Sequence, residues 1–413
     1  MIKGPRGTFD IIGNEFSLRK EVVEKMIAIS GNYGFKQIET PIFEEQELFV
    51  RSVGDDSDIV NKEIYSFLDK KERKMALRPE LTAPIVRSYI ENKMYAQDPT
   101  AKLSYYGPAF RYERPQAGRY RQFYQFGIEA FGIKNPIFDA EIIVLANMIL
   151  KQLNIEGYKI LINTIGTSVE RKEFNIALQS YFEINIEEMC EDCRRRIVTN
   201  PLRILDCKID GEKDYVKNAP KLKNYLSKES IDYFEQIKES LDILDIEYTI
   251  DDNLVRGLDY YNDIVFEIVY DGGNAKNTLI GGGRYDSLVE ELGNQRVEAV
   301  GFAVGIERIL SVMKEQNENI LENYNNSCDV YFGCENNEDR LDFLNLVTTL
   351  RENGLVCELN YNDRSYKSNL KQAIKSSAIY FITIKEENLI VKNLLTKEES
   401  IMTYQEFIDL VFS

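Results

Sequence analysis

The chain has 413 residues and a formal net charge of −17 at pH 7, with 44% hydrophobic and 29% charged residues. This composition is ordinary for a soluble globular protein of two or three domains, and its acidic balance argues against broad, non-specific nucleic-acid binding. The sequence contains no histidine, so Ser-His-Asp and Cys-His nucleophilic sites are excluded, as are zinc sites with imidazole ligands.

Targeting and membrane signals are absent from the patterns in the sequence. The first residues, MIKGPRGTFDIIGNE, are interrupted by Gly, Pro and charges, and no apolar run reaches the length of a membrane span. Six cysteines in a chain of this length do not indicate a disulfide framework. We therefore expect a cytoplasmic protein with no membrane contact.

The first part of the chain reads as strands and helices in turn. Residues 17–35 have the apolar spacing of a helix, and residues 75–94 resemble a strand, a turn around Pro79 and then a helix. Residues 101–114 and 119–132 are typical of two strands joined by the loop PQAG. These patterns predict a sheet flanked by helices.

The later segments indicate two further regions. The helix predicted at 139–153 is followed, from about 168 to 250, by a helical and charged pattern, and strand-like segments return after 278. Residues 315–327 are typical of a linker. Beyond them the pattern alternates as βαβαβ, which predicts a small α/β domain over 328–413.

The segment FRYERPQAGRYRQFYQFGIEAFG (110–132) concentrates positive charge in an acidic chain. If its second half is a strand, Phe123, Gln125, Gly127 and Glu129 share one face, and Tyr124 points to the other face with apolar neighbours. An exposed hairpin with solvated charges is the alternative, but the apolar face favours a buried sheet whose polar side faces a cleft.

Three later segments also contain arginine together with glycine, namely VRGLDYY (255–261), TLIGGGRYD (278–286) and GFAVGIERIL (301–310). They contribute Arg256 and Arg308, a pair of tyrosines, and glycines that let a ligand approach the backbone. Separated arginines, an aromatic plate and carboxylates are the groups needed to hold a nucleoside triphosphate and a small polar ligand.

These segments carry a family resemblance. FRYERPQAGRYRQF resembles motif 2 of class II aminoacyl-tRNA synthetases, GFAVGIERIL resembles motif 3, and YGFKQIETPIFEEQELF (33–49) is similar to the dimer-forming motif 1. VRGLDYY and GGGRYD are the two peptides that mark histidyl-tRNA synthetases within that class. The resemblance implies an α+β fold and a homodimer. It places a class II catalytic domain with an antiparallel sheet at 1–320, a helical insertion at about 168–250, and a C-terminal α/β anticodon-binding domain at 328–413.

The resemblance also implies a reaction and its participants. Histidine and ATP, with Mg²⁺, would form histidyl-adenylate and pyrophosphate, and the histidyl group would pass to the 3′ end of tRNA(His). Arg111 and Arg256 would be the catalytic residues, because both would lie at the reacting α-phosphate. ATP would contact Arg111, Glu113, Arg119, Phe123 and Arg308.

The remaining roles concern the amino acid and the tRNA. Glu129 and Tyr261 would bind the two imidazole nitrogens, and Glu80, Thr82 and Gln125 would orient the α-amino group. The full histidine-binding set is Glu80, Thr82, Arg111, Gln125, Glu129, Arg256, Tyr260, Tyr261 and Tyr285. Arg114, Gln116 and Arg121 would meet the tRNA acceptor end.

Three further points qualify the resemblance. Family members usually have histidine where this chain has Tyr124, and alternation predicts that this side chain faces away from Gln125 and Glu129. Cys190 and Cys193, with Cys207 nearby, suggest zinc, but without a second CxxC pair the sequence favours reduced structural thiols and no metal.

The alternative function is that of a non-catalytic, histidine-sensing regulatory subunit of ATP phosphoribosyltransferase. Such subunits typically lack the C-terminal domain and the intact set of ATP-binding arginines.

Overall fold

A computed structural model describes residues 2–53, 59–115, 118–205, 207, 209–255, 260–272, 277–293, 295–324, 328–385 and 388–412. The chain forms two compact units, one made of residues 1–10 and 19–318 and the other of residues 11–18 and 319–413. In the described part of the chain, no helix combines the length and apolar character needed to cross a membrane.

The first unit combines one large sheet with a small one. Its strands are β1 Lys36–Gln37, β2 Phe43–Glu45, β3 Tyr65–Leu68, β4 Lys74–Leu77, β5 Lys102–Phe110, β6 Gln122–Phe131, β7 Tyr158–Thr164, β8 Thr249–Ile250, β9 Asn262–Tyr270, β10 Asn277–Arg284 and β11 Ala299–Gly305. The large sheet has eight strands in the order β1-β5-β6-β11-β10-β9-β7-β8 and is antiparallel except at the outer pairs β1–β5 and β7–β8. Strands β2, β4 and β3 form a separate antiparallel sheet.

The first unit also contains helices, of which α1 begins in residues assigned to the second unit. They are α1 Asn14–Asn32, α2 Gln46–Val53, α3 Thr82–Glu91, α4 Met94–Gln97, α5 Pro136–Gln152, α6 Ser168–Phe182, α7 Glu191–Thr199, α8 Asp214–Lys217, α9 Lys228–Ile243, α10 Leu288–Gly293 and α11 Ile306–Gln316. Short 3₁₀ turns occupy Glu183–Glu188, Pro201–Ile204 and Leu222–Asn224, and a π-helical turn occupies Ile59–Glu63. A further 3₁₀ turn, Ile320–Tyr324, belongs to the second unit. The predicted α+β class is confirmed.

The helix starts follow from local sequence. Asn135 caps α5 by accepting a hydrogen bond from the Ile137 amide, with Pro136 as the first helical residue. Thr167 and Glu170 form a reciprocal capping box at the start of α6. Buried apolar residues of α5 then pack against β9, β10, β11 and α9, which places this helix on one face of the large sheet.

Some predicted boundaries differ from the structure. The strand predicted at 101–114 ends at Phe110, because the Arg111 amide makes the last ladder bond, to Arg121 O at 3.0 Å, and the Tyr112 amide turns to Glu63 O. The helical region predicted to about 250 ends in β8, since Thr249–Ile250 pairs with β7 of the large sheet. The first two residues of the segment read as a linker belong to α11.

The second unit has a mixed sheet in the order β13-β12-β14-β15-β16. Its elements are β12 Val330–Phe332, α12 Asn337–Glu352, β13 Cys357–Leu359, α13 Tyr366–Lys375, β14 Tyr380–Lys385, β15 Asn388–Asn393, β16 Glu399–Met402 and α14 Tyr404–Phe412. Strand β12 is parallel to both of its neighbours, as the βαβαβ pattern predicts, whereas β15 and β16 continue the sheet antiparallel. The pattern did not predict these last two strands or α14.

Candidate active site

A polar cleft of about 190 Å³ opens over the centre of the large sheet. The end of β5, the strands β6, β10 and β11 and the start of α11 all contribute to its walls. It is lined by Arg111, Glu113, Gly118, Arg119, Tyr120, Phe123, Gln125, Thr278, Leu279, Gly281, Ala303, Gly305, Glu307 and Arg308. All of the predicted ATP-binding residues are therefore in one cleft.

Three guanidinium groups converge in this cleft. Arg308 donates from Nη1 to Thr278 O at 2.6 Å, and Arg111 donates from Nε to Pro79 O at 2.9 Å. Burial and the positive charges of Arg119 and Arg111 lower the pKa of Arg308 from its ordinary value. Since arginine stays protonated at neutral pH, the cleft gathers three guanidinium charges against the carboxyl groups of Glu113 and Glu307. Clustered guanidinium groups are what a polyanion requires.

An aromatic plate and two unsatisfied acceptors complete the cleft. The guanidinium carbon of Arg111 lies 5.2 Å from the centre of the Phe123 ring. Gln125 Oε1 and Glu113 Oε2 are buried, and neither accepts a hydrogen bond from the described residues, although Arg119 Nη1 lies 3.5 Å from Glu113 Oε2. Buried acceptors normally have partners, so both oxygens fit donors supplied by a ligand.

A second group of side chains surrounds the carboxyl of Glu129, which is only 2% exposed. Thr82 Oγ1 donates to Oε1 at 2.8 Å and Tyr105 donates to the same oxygen at 3.1 Å, while the Tyr285 hydroxyl donates to Oε2. Burial raises the pKa of Glu129 to about 8, and although these three hydrogen bonds lower it, they do not cancel the effect of burial. The carboxyl is therefore a proton-holding group near neutral pH.

Three tyrosine rings pack beside this carboxyl. The ring centre of Tyr260 lies 4.8 Å from that of Tyr261 and 5.6 Å from that of Tyr285, and the last two are 6.4 Å apart. Burial raises the pKa values of Tyr260 and Tyr285, so both hydroxyls remain protonated donors. An apolar pocket wall with hydroxyls and one carboxyl suits a small planar heterocycle.

Glu80 lies close to this group at the start of α3. Its carboxylate accepts hydrogen bonds from the amides of Thr82 at 2.6 Å and Ala83 at 3.0 Å. It is buried, with 3% of its surface exposed, and burial raises its pKa. The charge therefore sits at a helix N-terminus, where backbone amides stabilise it.

Two glycines make room for the Glu129 carboxyl. A Cβ at Gly301 would lie 2.0 Å from Glu129 Oε2, and a Cβ at Gly127 would lie 2.3 Å from the Tyr105 hydroxyl. Gly301 pairs with Glu129 across β11 and β6, and Gly127 pairs with Tyr105 across β6 and β5. Any side chain at either position would displace the hydrogen-bonded group.

A buried ion-pair network holds Tyr285 in place. Arg284, with 0% exposed surface, pairs with Asp139 of α5 and, at 2.9 Å, with Asp286. The amide of Asp286 also donates to Asn262 Oδ1 at 2.6 Å. Both chain neighbours of Tyr285 are thus fixed, which aims its hydroxyl at Glu129.

Other predicted residues lie elsewhere. Arg114 is exposed on the loop between β5 and β6. The guanidinium carbon of Arg121 lies 4.0 Å from the ring centre of Tyr112 and its Nε donates to Glu113 O at 3.3 Å, so Arg121 borders the cleft without lining it. Gln116 and Arg256 fall outside the described residues.

The face assigned to Tyr124 agrees with the structure. Its ring lies 3.7 Å from the guanidinium carbon of Arg19 and stacks on Tyr106 at 5.5 Å, whereas Phe123 and Gln125 line the cleft. The contact with a buried arginine is more polar than the apolar packing that the sequence predicted.

Sequence reasoning missed two contributors to the site. Tyr105 could have been found, because strand pairing places it opposite Gly127, and a glycine inside a strand signals a close approach. Arg284 falls within GGGRYD, but no local signal indicates its partner Asp139, which lies 145 residues away.

Comparisons of the sequence and of the structure with known proteins find the same family. The family described as Histidyl-tRNA synthetase matches residues 7–309. The chain is 44% identical over 416 residues to the histidine--tRNA ligase of Bacillus subtilis. The alignment covers 98% of this chain and 97% of the relative. It superimposes with a TM-score of 0.83 on the crystal structure of apo S. aureus histidyl-tRNA synthetase, at 37% identity and with 99% of each chain covered.

A more distant structural relative shares only the fold. It is a protein from Bacillus halodurans described as an ATP phosphoribosyltransferase regulatory subunit/histidyl-tRNA synthetase. It matches at 21% identity with a TM-score of 0.66, covering 93% of this chain and 98% of the relative.

Proposed function

Because the chain belongs to the histidyl-tRNA synthetase family, we propose that it activates histidine with ATP and transfers the histidyl group to the 3′ end of tRNA(His). The observation that carries this proposal is the adjacency of two differently built sites on one sheet. The arginine cleft suits a triphosphate, the tyrosine and Glu129 group suits an imidazole, and Gln125 lies on the strand that runs between them.

In the nucleotide half, Arg111 holds the α-phosphate, and Arg119 and Arg308 hold the outer phosphates. Phe123 stacks under the adenine, and Glu113 contacts its edge with an oxygen that accepts no hydrogen bond from the described residues. Mg²⁺ enters with the triphosphate as part of the substrate, and carboxylate oxygen is the type of protein ligand that it takes. Burial and then the like charges of Arg119 and Arg111 lower the pKa of Arg308 from its ordinary value. This supports the assignment, because phosphate oxygens would relieve the repulsion.

In the amino-acid half, Glu129 and Tyr261 bind the two imidazole nitrogens, and Tyr260 and Tyr285 shape the pocket. The pKa of Glu129, about 8, lies above the ordinary value of an imidazole, about 6.5. The Glu129 carboxyl therefore holds a proton at pH 7, and a neutral imidazole shares that proton with it on binding. An analogue without ring nitrogens leaves these buried groups unpaired and is rejected.

The α-amino group lies nearer the cleft. Glu80, Thr82 and the unsatisfied Oε1 of Gln125 orient it, which brings the substrate carboxylate to Arg111. The carboxylate then attacks the α-phosphorus in line, and pyrophosphate leaves. Arg111 and Arg256 stabilise the charge that develops on the phosphoryl oxygens. Neither step uses a histidine of the protein.

In the second step, the terminal hydroxyl of the tRNA attacks the adenylate carbonyl and AMP leaves. Arg114, Gln116 and Arg121 on and beside the loop between β5 and β6 contact the acceptor end, and the C-terminal α/β unit reads the anticodon. We also propose a homodimer formed through residues 33–49, and a cytoplasmic location.

The regulatory-subunit alternative receives less support. Arg111, Arg119 and Arg308 converge in one cleft, and a complete α/β unit follows residue 318. A protein that only senses histidine requires neither feature.

The deciding experiment is histidine-dependent exchange of labelled pyrophosphate into ATP by the purified chain. We expect exchange that requires histidine and stops when Arg119 and Arg308 are both replaced by methionine. Replacement of Arg340, an arginine of the C-terminal unit, by methionine is the matched control and should leave exchange intact. Binding of histidine without any exchange would refute the proposal and favour the regulatory function.

A further inference from the structure

Three cysteines and one aspartate meet in the helical region between β7 and β8. We call Cys190, Cys193, Cys207 and Asp210 the thiol cluster; one ligand atom from each of the four lies within 4.8 Å of all the others. Cys193, Cys207 and Asp210 are buried, Cys190 is partly buried, and the three cysteines are free thiols. The cluster is remote in sequence from the residues that line the nucleotide cleft.

Local structure holds the cluster in place. Cys190 is the cap of α7 and Cys193 lies in its first turn, so both are presented by one helix start. Cys207 and Asp210 belong to a turn in which the Gly211 amide donates to Cys207 O at 2.7 Å and the Asp210 amide donates to Cys207 Sγ at 3.4 Å. The Cys190 amide then donates to Asp210 Oδ2 at 2.9 Å, which connects the helix start to the turn.

The spacing of the ligand atoms matches a tetrahedral zinc site. Cys190 Sγ lies 3.8 Å from Cys207 Sγ. Sulfurs bound to zinc at about 2.3 Å in a tetrahedron are separated by roughly 3.8 Å, and a sulfur and a carboxylate oxygen by roughly 3.5 Å. A disulfide would require the two sulfurs to approach to about 2.05 Å. The Cys190 and Cys207 sulfurs therefore already have the separation of two ligands of one zinc ion, and the four ligand atoms all lie within 4.8 Å of one another.

The charges also fit a soft divalent cation. Three thiolates and a carboxylate would leave roughly two negative charges in excess around one such ion, and Lys213 Nζ lies 2.9 Å from Asp210 Oδ1 to offset part of them. Thiolate ligands select zinc over magnesium, calcium and manganese.

We propose that Cys190, Cys193, Cys207 and Asp210 bind one structural zinc ion. Four protein ligands close the site, so the ion supplies no catalysis and instead joins the start of α7 to Cys207 and Asp210. The three cysteines alone provide one ligand fewer than a tetrahedral zinc site needs. Asp210 is the fourth ligand, because the turn after Cys207 brings Asp210 next to Cys190.

The test begins with metal content. The full chain, produced without a polyhistidine tag, is dialysed against reductant, supplied with one equivalent of zinc, passed through a desalting column and analysed by elemental mass spectrometry. We expect about one zinc per chain. Because the chain has no histidine, imidazole groups cannot account for bound zinc.

Variants assign the ligands. Cys193→Ser should lower the zinc content at least tenfold, and Asp210→Asn should weaken zinc binding by about tenfold or more in competition with a chromogenic chelator. Cys334→Ser, which alters a buried thiol of the C-terminal unit, is the matched control and should keep a full equivalent. Far-UV circular dichroism checks the fold of each variant.

Cobalt provides a readout on the unaltered chain. Stoichiometric Co²⁺ should produce a thiolate-to-metal charge-transfer band and the intense visible bands of tetrahedral cobalt, and zinc should remove both. Less than a tenth of an equivalent of zinc in the wild-type chain, retention of zinc by Cys193→Ser, or a Cys190–Cys207 disulfide in the protein purified from cells would overturn the proposal.

Discussion

Replacing Glu129 by glutamine should change the pH dependence of stability more than stability itself. Glu129 is a buried carboxyl whose pKa is raised from 4.5 to about 8. The folded chain therefore holds this proton more tightly than the unfolded chain does. The stabilising effect of the proton is fully present below pH 4.5 and is lost as the pH rises through 8.

The magnitude follows from the two pKa values. Each pH unit between them lowers the free energy of unfolding by about 1.4 kcal/mol, so the ionised carboxyl costs roughly 5 kcal/mol well above pH 8. The amide of Glu129→Gln has the same shape and does not titrate in this range. Between pH 5.5 and pH 8.5 the variant should therefore gain roughly 3 kcal/mol relative to the wild type.

The assay is urea unfolding at both pH values, followed by near-ultraviolet circular dichroism of the tyrosines because the chain has no tryptophan. Comparing pH values cancels any constant difference in hydrogen bonding between the amide and the carboxyl. Glu239→Gln, at an exposed position of α9, is the control and should follow the wild type at every pH. A difference between Glu129→Gln and the wild type that stays constant from pH 5.5 to 8.5 would refute the reasoning.

Three other substitutions test the remaining parts of the site. Arg308→Met should raise the KM for ATP about tenfold to a hundredfold in pyrophosphate exchange, because a hydrogen bond to a charged group contributes about 1.5–3 kcal/mol; an unchanged KM would count against its phosphate contact. Gly301→Ala should lower the free energy of unfolding by about 1–3 kcal/mol and weaken histidine binding measured by calorimetry. Gly31→Ala, where nothing lies within 4 Å of the added carbon, should cause no loss, and equal behaviour of the two would contradict the steric argument. Arg284→Met should cost about 3–5 kcal/mol in urea unfolding, because two buried carboxylates lose their guanidinium partner; a loss below about 1 kcal/mol would show that the network is not needed.

The sequence was sufficient where periodicity and short motifs carry the information. Alternation along residues 122–131 placed Phe123 and Gln125 on the cleft side and Tyr124 on the other, because neighbouring side chains of a strand must point to opposite faces. The α+β class was implied by the family resemblance of the short motifs. The roles of Arg114 and Arg121 toward tRNA remain predictions, since they depend on a partner.

Contacts between distant segments were beyond reach of the sequence. Asp139 and Arg284 meet only because α5 packs across β10, and no pattern within either segment indicates that pairing. Asp210 is similar, since a carboxylate three residues after a cysteine is common and becomes meaningful only when the turn returns it to Cys190. The antiparallel strands β15 and β16 were missed because each is short, at six and four residues, and shows no clear alternation of apolar and polar residues.

The buried ion-pair network of Arg284, Asp139 and Asp286, which holds Tyr285 in place, affects how amino-acid specificity could be redesigned. Because Arg284 and Asp286 are both held by buried partners, the backbone at Tyr285 has little freedom to relax when the side chain between them is exchanged. A smaller residue there should therefore create added pocket volume instead of a rearranged loop. Libraries that vary Tyr285 while keeping its two neighbours should yield enzymes that accept imidazoles enlarged on the side facing Tyr285. Libraries that also vary Arg284 or Asp286 should yield mostly unfolded chains.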